Sequence, residues 1–166
     1  MLILVTFLAV GSASSVFAHN GPKWRAFVAA DLTLPPSTSA VSFPSELYVI
    51  LQAQGPANQM VGGLYVFNPV SSCNLNVPLV AVVSGKLFTN VTTGSQTLNF
   101  TGFTPPDPCL RLAAGVVRVV VGPTPFEPPD PCLVSFHTRN GTITFTGETD
   151  RYIVGTTTTT TTTLPP

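Results

Sequence analysis

Apolar residues along this chain come in short runs of Val, Phe, Leu and Ile, broken by clusters of Pro, Gly, Asn and Ser. That is the rhythm of strands and turns, and no stretch sustains a helical period. The pattern predicts strands near Trp24–Leu34, Leu47–Gln54, Gly63–Phe67, Leu79–Thr89, Gln96–Thr101, Val116–Val121, Leu133–Thr138 and Thr142–Thr149. Segments such as LYVIL and PLVAVV are apolar at successive positions, as in strands covered on both faces. In TITFTG the residues Thr142, Thr144 and Thr146 alternate with Ile143 and Phe145, so this strand has one wet side. About eight strands with a turn signal after each predict an all-β fold. The expected form is an antiparallel β-sandwich, with a small β-barrel as the alternative.

The two ends of the chain set its organisation. Residues 2–18 are uncharged and end in Val16-Phe17-Ala18, the small-x-small pattern of a signal peptidase site. Residues 1–18 therefore read as a secretion signal, although no Lys or Arg follows Met1. Once cleaved, the product is expected to be secreted or displayed at the cell surface and not to be an integral membrane protein. From Thr156 to Thr163 the sequence is unbroken threonine, closed by Leu164-Pro165-Pro166. Such a composition cannot bury enough apolar surface to fold, and residues 156–166 read as a disordered stalk or linker beyond which a further module is expected. Residues 19–155 then form the single folded domain.

Charge and cysteine content narrow the function. Seven basic and seven acidic side chains, only 8% of the chain being charged, give no field that would attract nucleic acid. In a secreted chain cysteines usually pair, and PPDPCL occurs twice, at Pro105–Leu110 and Pro128–Leu133. Their identical contexts make Cys109 and Cys132 the expected couple; closing residues 110–131 as a loop would stabilise the fold by roughly 3 kcal/mol. Cys73 is left over, as a buried small side chain or a link elsewhere. TLNFTGFT at Thr97–Thr104 echoes TITFTGET at Thr142–Thr149, read as similar strand ends rather than a tandem repeat. The triplets beginning at Asn90, Asn99 and Asn140 are glycosylation acceptors. Asn99 falls on the polar face of its strand, and Asn140-Gly141 fits a tight turn.

Few residues offer chemistry. If cleavage follows Ala18, His19 presents an α-amine and an imidazole together, and the chain's other histidine, His137, could supply the third nitrogen of a tetragonal copper site. This set resembles the histidine brace of lytic polysaccharide monooxygenases and of small periplasmic copper carriers, which would imply a copper carrier or oxidative enzyme. On the other side, His137 alternates with Ser135 and Arg139 opposite Val134 and Phe136, as an exposed strand histidine does. No G-x-S-x-G elbow is present, and Asp107 and Asp130, each between prolines, read as turn residues. No cofactor is otherwise expected, and no other enzymatic activity is predicted.

The run Ala26-Phe27-Val28-Ala29-Ala30 through Leu34-Pro35-Pro36, followed by Phe136-His137-Thr138 near a closing Gly-containing strand, is similar in order to the chordin-type CHRD domain. That family's central His-x-His segment and closing Gly-Glu-x-x-Gly pattern are absent. The resemblance implies an extracellular β-domain and transfers no catalytic residue. The sequence thus predicts a secreted or surface-displayed binding or structural module, whose apolar, charge-poor surface suits carbohydrate or another surface protein. The alternative is a copper protein built on His19 and His137.

Overall fold

The computed structural model describes residues 22–38, 43–68, 79–124 and 129–156. The expected signal run, His19, Cys73 and the threonines beyond Thr156 lie outside these residues. Eight strands follow one another: β1 (Lys23–Thr33), β2 (Glu46–Pro56), β3 (Met60–Phe67), β4 (Leu79–Thr89), β5 (Gln96–Thr104), β6 (Gly115–Thr124), β7 (Asp130–Thr138) and β8 (Gly141–Thr156). Each pairs antiparallel with the next, and β1 also pairs with β8 from Lys23↔Thr156 to Thr33↔Thr146. The all-β antiparallel fold is as expected, and of the two expected forms the chain takes the alternative, a small closed barrel, rather than the sandwich. With β1 hydrogen-bonded on both sides, no free edge is left around which two sheets could separate. The end holding Lys23 and Thr156 is called the lower end below.

Period-two alternation fills the barrel. Val28, Val49, Leu51, Leu64, Val83, Phe100, Val119, Val134 and Phe145 point inward from all eight strands and are fully or almost fully buried. Phe136 and Phe145 meet edge to face, centroids 6.1 Å apart. Leu110 and Leu112, buried on the β5–β6 loop, close the upper end, and that loop is held by a backbone bridge between Asp107 and Leu112. The opposite parity carries Lys23, Arg25, Asp31, Glu46, Lys86, Arg118, Glu148 and Asp150 outward. The inward parity is thus apolar, as in a packed core, while the outward parity mixes these charges with exposed apolar side chains such as Phe27, Val82, Phe103 and Tyr152.

The echo between β5 and β8 has a physical meaning. In both, a buried Phe (Phe100, Phe145) and a buried Thr (Thr104, Thr149) flank an inward glycine (Gly102, Gly147). An added Cβ on either glycine would collide with the neighbouring strand's backbone, at Val82 or Asp31. Beyond the glycine, Thr104 donates to the Gly115 carbonyl at 3.2 Å and Thr149 to the Ala29 carbonyl. The same five-residue device therefore lets two strands approach a neighbour closely and satisfies the inward hydroxyl.

β8 runs well past the expected Thr149, through Asp150-Arg151-Tyr152-Ile153-Val154-Gly155 to Thr156, which takes the first threonine of the run into the barrel. Arg151 faces inward there. Its Nε lies 2.6 Å from Oδ2 of Asp130, with side chains 7% and 4% exposed, and its Nη1 donates to the Gln96 carbonyl at 2.6 Å. Asp130 was expected in a turn; it opens β7 instead, held inside by this pair. The other PPDPC copy does form a turn, where Asp107 Oδ1 accepts from the Leu110 amide at 2.9 Å. Burial pushes the Asp130 carboxyl above its ordinary value, and the Arg151 guanidinium, pulling it down, does not cancel the effect. A raised carboxyl contributes its full stability below the unfolded value of 3.8 and loses it as pH rises through the folded value. Arg151→Ala strands a buried carboxylate and is expected to cost about 3–5 kcal/mol, read from urea midpoints. The deficit grows from acid to neutral pH, and pairing Arg151→Met with Asp130→Leu recovers most of it.

Candidate functional site

Apolar side chains fill the described interior, so the surfaces open to solvent lie on the outer wall. Registers place three outward rows side by side across β8, β1, β2 and β3. The first is Tyr152–Phe27–Gln52–Gly63, the second Val154–Arg25–Gln54–Val61, and the third Asp150–Ala29–Ile50–Tyr65. Small residues open this surface: Gly63 ends the first row and Ala29 sits within the third. Around the first two rows the wall sinks into a depression of about 470 Å³ lined by Tyr152, Phe27, Gln52, Gln54, Arg25 and Val61. A second depression, about 580 Å³, shares Arg25, Gln54 and Val61 and continues past Trp24 to Gln59 at the lower end. Tyr152 is 69% and Phe27 39% exposed, so aromatic surface faces solvent across a cross-strand pair. All three tyrosines of the chain lie on this wall. Tyr48 and Phe67 stack obliquely on it, with centroids 6.0 Å apart.

A second exposed row runs on the other side, near the upper end: Val82, Phe103, Val116, His137 and Thr142. Val82 and Phe103 are 73% and 63% exposed. His137 Nδ1 sits 3.0 Å from the Thr142 hydroxyl. His137 is thus an outward strand histidine, opposite in direction to the buried Val134 and Phe136. His19 lies outside the described residues, but β1 begins at Lys23 beside Thr156, at the far end of β8 from Thr142. Between those ends β8 spans roughly 45 Å at about 3.3 Å per residue. The segment from position 19 to Lys23 can bridge only about 14 Å when fully extended. A copper site joining the two imidazoles gains nothing from this placement, and among the described residues no cluster of three His, Cys, Asp or Glu side chains could hold a metal.

The expected Cys109–Cys132 pair is not formed. Cys132 is a free thiol, buried and directed inward from β7, whereas Cys109 sits on the β5–β6 loop and is disulfide-bonded. Identical hexapeptides had suggested a couple, but one begins a strand and the other makes a turn, so their cysteines occupy unrelated surroundings. The asparagines of the three expected acceptor triplets, Asn90, Asn99 and Asn140, are all exposed. Asn90 caps the β4–β5 turn by accepting from the Thr92 and Thr93 amides at 2.9 and 3.2 Å, Asn99 faces outward on β5, and Asn140 precedes Gly141 in the β7–β8 turn. The aromatic rows were missed by sequence reasoning. Their signal was present in part, since Phe27, Tyr48 and Tyr65 each stand at the outward parity of an expected strand, while Tyr152 lies past the expected end of β8.

Fold and wall together define a class: a closed up-and-down antiparallel barrel with a filled core and shallow depressions on its outer wall. No family model, curated protein or solved structure matches the chain.

Burial pushes the Cys132 thiol up to about 12, the Leu133 backbone hydrogen bond opposing it only in part. Since the thiolate is the reactive form, iodoacetamide is expected to leave Cys132 unmodified in the native protein and to alkylate it once urea has opened the barrel. Peptide mapping of both samples checks this, and rapid native labelling would show that the interior is open.

Proposed function

We propose that this protein is a secreted or surface-displayed binding or structural module rather than a catalyst, carried on its Thr/Pro-rich stalk. The observation that supports this best is the division of the barrel into a filled apolar interior and a concave aromatic outer wall. Among the described residues the lumen is filled by apolar side chains, and exposed aromatic rings beside amide side chains are what a recognition surface needs. The order of segments shared with the chordin-type extracellular domain agrees with this reading. So does the leader-like run at residues 1–18, which would deliver the barrel to an oxidising compartment where Cys109 can be bonded.

The test is the intact mass of the protein expressed with its own leader, taken from medium and cells, with and without one equivalent of copper(II). A product in the medium beginning at His19, holding no copper after desalting, is the expected result. Protein retained in the cells with residues 1–18 still attached would refute export. Copper held tightly, and released by His137→Ala, would replace the module with a copper protein.

A further inference from the structure

We infer that the outer wall of β8, β1, β2 and β3 is a binding site for a neutral carbohydrate chain, an inference that rests on the module reading above and gives it a ligand class. The argument begins with side-chain chemistry in register. Tyr152 and Phe27 are direct cross-strand partners, and Gln52 and Gln54 stand on the next strand, two residues apart and both outward. Sugar rings present C–H faces that lie against aromatic rings, and hydroxyls at their rims that both donate and accept. Each Gln amide supplies a carbonyl acceptor and two N–H donors, and Arg25 adds donors in a planar fork. Arg25 is the one charged side chain lining the depression of about 470 Å³, and Lys23 joins it in the lower depression, so two charges stand among amides and aromatic rings and the site suits an uncharged polyol better than a basic peptide.

Shape carries the inference further. The depression lies within the size of small-molecule sites. It runs into the neighbouring one through Arg25, Gln54 and Val61 and reaches Gln59 and Thr156 at the lower end. An elongated trough with aromatics at one end and amides along it fits several linked rings rather than a single sugar. A second copy of the chain is a weaker occupant. The barrel is closed, so no strand edge is free to extend the sheet into a partner. The acceptors Asn90 and Asn99 belong to the β4–β5 turn and to β5, half-way round the barrel from β1, and Asn140 lies in the upper β7–β8 turn. Glycans attached at these positions would leave the trough clear.

The experiment uses the secreted full chain and a panel of neutral hexasaccharides: β-1,4-linked glucose, N-acetylglucosamine and mannose, and α-1,4-linked glucose. Binding is read by isothermal titration and by ligand-observed NMR. At least one member is expected to bind, with affinity falling about tenfold or more in Tyr152→Ala and in Gln52→Ala. Phe103→Ala, on the opposite wall, should bind as the parent does. Tyr152 and Gln52 are exposed, so both variants should keep the parent's melting temperature, and each serves as a check on the other. No binding across the panel overturns the ligand class. Binding lost in Phe103→Ala and kept in Tyr152→Ala overturns the location. Sedimentation showing a dimer broken by Tyr152→Ala would assign the trough to a second copy and overturn the inference. Each of these results leaves the module reading to be decided by the export and copper measurements, so the two failures are distinguishable.

Discussion

The ladder between β1 and β8 is the pairing on which the rest of the barrel rests. Every other pairing joins strands adjacent in sequence, whereas this one brings together residues at the two ends of the domain, from Lys23 with Thr156 to Thr33 with Thr146. Without it the sheet would have two long edges and a half-exposed apolar face, the condition that invites aggregation. With it, every inward side chain gains neighbours from across the lumen, and Val28, Leu64 and Phe145 become wholly inaccessible to water. Closure also sets the demands on single residues. Strands pressed together need inward glycine at Gly102 and Gly147, and long inward strands leave places where a polar group must be satisfied inside.

The lower half of the lumen shows the cost of such places. Arg151 and Asp130 are buried as a pair, yet Asp130 Oδ1 has no hydrogen-bond partner, and neither has the buried Trp24 Nε1. A fully apolar replacement would pack at least as well in energetic terms. The pair nonetheless fixes where β7 begins against β8, because Asp130 must meet the arginine, and the register Asp130↔Thr149 follows. Sliding either strand by one residue would send one charge into solvent and leave the other buried alone.

This pair also explains where the sequence was legible and where it was not. Strand existence and parity were readable nearly everywhere, since alternation such as that of Thr142 to Phe145 is a local signal. The second half of β8 was hidden, because Asp150-Arg151 looks like the polar end of a strand until Asp130 is known to face it. The PPDPCL repeat misled for the same reason. Its two copies are locally identical, and only long-range partners make one a turn around Asp107 and the other a strand carrying Asp130 and Cys132 inward. Sequence left barrel and sandwich both open, because the choice between them depends on contact between chain ends. The aromatic wall was legible only in part: Phe27 could be placed on an outward face, but Tyr152 lay beyond the expected end of its strand, and the adjacency of the two is a property of register.

The meeting of Lys23 and Thr156 at the lower end, tightened by the Thr156 hydroxyl on the Lys23 carbonyl at 2.9 Å, has a mechanical consequence. Two neighbouring antiparallel strands whose outer ends leave from the same pole are loaded by tension along the chain in the unzipping direction. Force then acts on one pair of hydrogen bonds at a time, starting at the pole, instead of shearing the whole ladder together. Pulled through its ends, the barrel would open like a zip from Lys23 and Thr156 toward Thr33 and Thr146, yielding at low force and lengthening whatever it is threaded into.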